Sequence, residues 1–212
     1  MTIQFNVDLL EKYIAPSISK FSKAEIPDLR QVYDQHLYWL RNHFLNSSLS
    51  EAFTSPMRQY AFNAIYRVQS AFKDYHEARD LTYNYLRVTI ADNPAIRAYF
   101  DSLSRWESCF LNWAILIDIY YRMSDTKAFE KGDGSAEQRA YDISNTIKHC
   151  GDAIKRGEHG ASLTVPVWLE NDGFHSRESI VSYQEFGDLI SEAANFANEL
   201  QNPRRFVGQG EG

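Results

Sequence analysis

Cysteine is nearly absent from this chain. Cys109 and Cys150 stand alone, with no CxxC pair and no histidine at zinc-ligand spacing, which excludes a disulfide scaffold and a cysteine-based zinc module. Both read as small packed hydrophobes. Long apolar runs are missing too: the longest clean one, Trp113 to Ile117, ends at Asp118, far short of the ~20 apolar residues that a membrane-spanning helix needs. The opening residues Met1 to Asn6 carry neither a basic cluster nor a following apolar stretch, and Asp8 and Glu11 come early, so a cytoplasmic protein without a secretory signal is expected. An excess of positive charge is also lacking. With 22 Lys and Arg against 28 Asp and Glu, the formal charge of −6 argues against gripping a nucleic-acid duplex mainly through its phosphates. Lys148, Lys155 and Arg156 form a local basic group, which the C-terminal end of a helix also favours.

The common chemical templates are missing as well. There is no G-x-S-x-G, no Walker-type loop and no G-x-G-x-x-G, and neither Glu-x-x-His nor His-Glu-x-x-His occurs, so no cofactor and no metal are expected. Asp74, His76, Glu77 and Asp80 come closest to a cluster, and two carboxylates without a properly spaced histidine read as solvated surface.

What is present is a core. In 212 residues, 44% are apolar and 14% aromatic, enough for one domain of ordinary size, placed over residues 1–200 with a flexible tail at 201–212. Asn6 caps a first helix that Pro16 limits, and Ile26-Pro27-Asp28 precedes a second through Leu29, Val32, Tyr33, Leu37 and Leu40. Ser55-Pro56 opens a third, carrying Ile65, Val68, Phe72 and Tyr75 to about Ile90. After Pro94 a central helix repeats Tyr99, Leu103, Trp106, Phe110, Trp113 and Ile117 at threes and fours, the spacing of a core stripe. Ser135 and Gln138 fit a capping box, and Gly157 fits the end of the helix they begin. From Leu163 the pattern alternates, with Val165, Val167 and Leu169 on one side and Thr164, Pro166 and Trp168 on the other. Asn171-Asp172-Gly173 then signals a turn, so a β-hairpin or extended flap is expected to about Val181, with Pro166 placing its first strand at an edge. Ser182 and Glu185 form a second capping box before a last helix. The expected class is all-α, an antiparallel helical bundle with this small β element near its C-terminus.

The helix from Ser135 to Arg156 is the most informative segment. At 100° per residue, Ala140, Ile143, Ile147, Cys150 and Ile154 share one face, and Gln138, Asp142, Asn145, His149, Asp152 and Arg156 share the opposite one. So pure a polar face is either solvated or a site. The run Ile143-Ser144-Asn145-Thr146-Ile147-Lys148-His149 resembles the signature helix of HEPN domains, a helical superfamily of bacterial defence systems, toxin–antitoxin modules and RNA-cleaving nucleases. That signature is an Arg, a polar residue such as Asn, three more residues and a His. The order of elements over roughly Pro56 to Leu200 is similar as well.

The resemblance implies that Asn145 occupies the polar position and His149 that of the catalytic histidine; beside them, Asp142, Asp152 and Arg156 of the polar face and the adjacent Lys148 are the candidate binding residues. Ser144 stands where the arginine would be and cannot supply its charge. Arg30 and His36 also satisfy a looser Arg-x5-His spacing, one that chance alone supplies in a chain of this composition. Three readings stay open. The first is a catalytically degenerate HEPN-like protein that binds a partner, as a homodimer or as an accessory subunit of a prokaryotic defence or toxin–antitoxin system. The second is a metal-independent endoribonuclease acting on RNA through His149, with Lys148 or Arg156 replacing the arginine. The third is an unrelated helical interaction protein.

Overall fold

Two long stretches repeat apolar residues at threes and fours and contain neither proline nor glycine, and both fold as long helices. The computed structural model describes residues 6–48, 52–89, 94–157 and 164–201. Ahead of the long pair lie α1 (Val7–Tyr13) and α2 (Trp39–His43). Helix α3 (Met57–Val88) has 32 residues and spans about 48 Å at the usual rise. Helix α4 (Ile96–Ser124) returns beside it. Thr82 meets Ser102, Asp74 meets Arg105, the Ala71 carbonyl meets Cys109 and Arg67 meets Asn112, so positions fall along α3 as they rise along α4 and the two are antiparallel. Among the described residues no helix is long and apolar enough to cross a membrane.

The first helix follows the expected signals, with the Asn6 side chain accepting from the Asp8 amide at 2.8 Å. The expected second helix from Leu29 to Leu40 does not form. Residues 22–29 have no regular structure and turns follow from Arg30, closing with a 3-10 turn at His36–Tyr38 before α2 begins and passes into a π turn at Phe44–Ser48. Tertiary bonds tie the segment to α3 and to the last helix instead: the Ile26 amide donates to Tyr83 Oη, Arg79 Nε donates to the Ile26 carbonyl, and Tyr33 Oη donates to the Ser191 carbonyl at 3.1 Å. Val32 and Leu37, which a helix would have buried together, are 71% and 66% exposed.

After a loop come α5 (Ala136–Lys148) and α6 (Cys150–Lys155), so the single helix expected from Ser135 to Arg156 is broken at His149. Strands β1 (Val167–Leu169), β2 (Gly173–Ser176) and β3 (Ile180–Ser182) form an antiparallel sheet in that order, one strand more than the expected hairpin. Its start at Leu163 lies outside the described residues. A Cβ at Gly173 would collide with the Val181 carbonyl oxygen across the pair, which is why the turn ends on glycine. The expected alternation fails at Trp168, which is buried along with Val167 and Leu169: its Nε1 donates to Glu170 Oε1 and its ring lies 6.2 Å from that of His175. The last helix, α7 (Tyr183–Leu200), starts at a complete Ser182–Glu185 capping box. The expected tail does not begin at Gln201, which is buried and bonded to Asn42 and Asn198; positions from 202 on lie outside the described residues.

The core sits where α3, α4, α7 and the sheet meet. Phe110 stacks on Phe186 with centroids 3.9 Å apart, Trp106 meets Phe174 at 4.7 Å and Tyr75 meets Trp106 at 5.3 Å. Inside it, Trp106 Nε1 donates to Thr82 Oγ1 at 2.9 Å, and that hydroxyl also bonds Ser102 at 2.7 Å. Cys109 is buried and donates to the Ala71 carbonyl, as a packed thiol should, while Cys150 is only half-buried.

Candidate functional site

The polar face of α5 survives the helix break because the break itself keeps it continuous. Ser135 Oγ accepts from the Gln138 amide at 3.2 Å, and the Gln138 side chain reaches back to the Gly134 amide at 2.7 Å, which fixes where α5 starts. His149 then serves both helices: its amide donates to the Asn145 carbonyl at 2.9 Å, and its own carbonyl accepts from the Asp152 and Ala153 amides at 3.1 Å each. Gln138, Asp142, Asn145, His149, Asp152 and Arg156 therefore line one open groove of about 550 Å3. Its far wall is the β2–β3 turn, where Ser176 Oγ accepts from the Ser179 amide at 3.0 Å and so presents Arg177 and Glu178. Lys131 and Pro166 close the ends.

Lys148 is exposed and lies outside this lining, so it is not brought together with the others. The core stripe also stops short: Ala140 and Ile143 are buried and Ile147 packs against the core, but Ile154 is 62% exposed on α6. Ser144 does not face the groove. Its side chain is buried, and its hydroxyl bonds the Phe110 carbonyl of α4 at 3.1 Å and the Ala140 carbonyl at 2.9 Å.

The groove carries three basic side chains, Lys131, Arg156 and Arg177, against three acidic ones, Asp142, Asp152 and Glu178. Burial holds the Asp142 carboxyl above its ordinary range, Glu178 across the groove pushes it the same way, and Lys131 pulls against them. The His149 ring and the Asn145 amide make no side-chain hydrogen bond among the described residues, to each other or to anything else. No family model, no curated protein and no solved structure matches this chain. The groove therefore has to be read from its own chemistry.

The sequence reading missed two further constellations. Glu77 and Asp80 keep the expected exposure, but Asp74 does not: it is 7% exposed and accepts from Arg105 at 3.0 Å and Asn112 at 2.9 Å, tying α3 to α4. His76, 6% exposed, lies under an ion-pair group in which Arg30 binds both Asp28 and Asp80. Its two ring nitrogens have no hydrogen-bond partner, and burial, then Arg30, push its pKa down to about 4. Arg30 and His36 are likewise accounted for locally, since His36 Nδ1 lies 2.7 Å from the Tyr33 carbonyl. The second constellation is at the β1–β2 turn, where the donor atoms of Glu170, Asp172 and His175 lie within 4.8 Å of one another, the one such metal-capable group found among the described residues. Its members are engaged with each other and with their strand: His175 Nε2 is 2.8 Å from Asp172 Oδ1, and Trp168 Nε1 donates to Glu170 Oε1 at 2.8 Å. The Asn-Asp-Gly turn and the tryptophan beside it were the only local signals of this clasp.

Proposed function

We propose that this protein is a HEPN-like, catalytically degenerate helical subunit that works by holding a partner through the α5–α6 groove, as a homodimer or as an accessory component of a prokaryotic defence or toxin–antitoxin system. The setting of Ser144 carries the degenerate reading. At the position where active members of the resembled superfamily carry arginine, this chain uses a hydroxyl bonded to the Phe110 carbonyl, and a charge there would be enclosed between α4 and α5. An imidazole with no orienting partner gives at most about 10²–10⁴-fold from acid–base work and leaves a phosphate uncompensated. The balanced charge of the groove suits the mixed polar surface of a protein partner better than a polyanion. The system-level role rests on the resemblance alone.

Two measurements test this. Wild type and His149→Ala are incubated with labelled single-stranded RNA in EDTA, and neither is expected to cut. Cleavage by wild type that the variant loses would overturn the degenerate reading and make His149 catalytic in a metal-independent endoribonuclease. Light scattering at about tens of micromolar is expected to give a symmetric dimer. A strict monomer removes the homodimer and leaves the accessory-subunit form.

A further inference from the structure

Between α4, α7 and the start of α5, the helices leave a second hollow, of about 350 Å3, that shares no lining residue with the α5–α6 groove. Trp113, Ile117 and Tyr120 of α4 and Leu189, Ala193 and Phe196 of α7 supply its walls. Tyr120 and Phe196 meet edge to face with centroids 5.5 Å apart. The volume falls in the range of about 300–1,000 Å3 in which proteins hold small organic ligands, and the lining is mostly apolar residues joined by three charged ones, Lys127, Glu137 and Glu192.

Two of those three are carboxylates. Glu137, at the start of α5, and Glu192, on α7, belong to the lining, and Asp188 lies one turn before Glu192. No Lys or Arg forms an ion pair with any of the three among the described residues. Lys127 is the one basic side chain of the lining, and Glu130 holds it at 3.0 Å. Burial, then Glu137 and Asp188, keep the Glu192 carboxyl above its ordinary range, which marks a field that a bound cation would relieve.

We propose that this hollow binds a small organic amine, with an aromatic or branched apolar body against Ile117, Tyr120 and Phe196 and its ammonium group between Glu192 and Glu137. The ammonium offers charge-assisted donors to carboxylates that otherwise repel each other. A carboxylate ligand of the same shape meets the same field with the wrong sign.

Titration calorimetry on the whole chain tests the proposal, near neutral pH and in phosphate because Tris is itself an amine. The probe is 2-phenylethylamine, with 2-phenylethanol as neutral isostere and 3-phenylpropionate as anionic control. The amine is expected to bind at least about ten-fold tighter than the alcohol, and the carboxylate not measurably. Glu192→Gln, an exposed change that leaves the fold intact, should bring the amine to within about three-fold of the alcohol. Ala193→Leu, which fills the hollow, should remove both while the circular dichroism spectrum is retained. Equal binding of amine and alcohol, no amine binding up to about 10 mM, or full amine binding by either folded variant would overturn the proposal.

Discussion

The Ser144 hydroxyl lies on the buried side of α5, away from the groove that His149 lines. It follows Ile143 and precedes Asn145, and its buried position comes from lying one turn after Ala140, against the backbone of α4. Ser144→Arg is therefore expected to cost about 3 kcal/mol or more in urea unfolding, through overpacking and an enclosed charge, and to create no RNA cleavage. An arginine variant as stable as wild type would show that position 144 opens toward the groove. His76 gives a pH dependence with a definite sign. Its folded pKa of about 4 lies below the ordinary 6.5, so between those values the unfolded chain takes up a proton that the folded chain refuses. Stability contributed by His76 is complete above pH 6.5 and is lost as pH falls toward 4, by on the order of 3 kcal/mol. Asp28, Arg30, Arg79 and His36 are the charged and titratable groups acting on it. Denaturant midpoints of wild type and His76→Phe, compared from pH 7 to 4, should show a shallower loss in the variant; parallel curves would place the acid sensitivity elsewhere. His43, also pushed down by burial, leaves a residual slope.

At the scale of elements, the break between α5 and α6 decides the shape of the groove. A continuous helix would have carried Ile154 along the core stripe, but α6 turns it out to 62% exposure while Asp152 and Arg156 stay on the groove side. Gly151, in the first turn of α6, has ordinary helical backbone and nothing within 4 Å of where a Cβ would stand. Gly151→Ala should therefore stabilise the chain by about 0.5–1 kcal/mol, by removing backbone freedom from the unfolded state without a clash. A thermal melt checks it, and a lowered midpoint would mean that α6 needs glycine for a movement the folded form makes. The helix starts are sturdier, because their caps are local: Asn6, Ser135 and Ser182 each bond an amide two or three residues ahead.

For the whole molecule, stability depends on the aromatic contact between α4, α7 and β2. Phe110→Ala removes a ring stacked on Phe186 at 3.9 Å and should cost about 3–5 kcal/mol, whereas Phe62→Ala, at a ring 45% exposed on α3, should stay within about 0.5 kcal/mol. Equal losses in denaturant midpoint would place the core elsewhere. The sequence by itself determined the caps, the two long helices and the burial of Trp106, Phe110 and Trp113, because those depend on spacing along a few turns of chain and on what a side chain loses by leaving water. It also held the polar face of α5, whose members the groove brings together. It could not determine that Leu29 to Leu40 would stay open, that Asp74 and His76 would lie inward, or that Ser144 would bond α4. Nor could it place Lys131, Arg177 and Glu178 across from Asp142. Each of these was decided by a partner distant in sequence: Tyr83 for the Ile26 amide, Arg105 for Asp74, the Phe110 carbonyl for Ser144 and the β2–β3 turn for the groove. The physical reason is that periodicity reports which face of an element avoids water, while a buried polar group is stable only once its specific partner has arrived, and only the packed chain brings the two together.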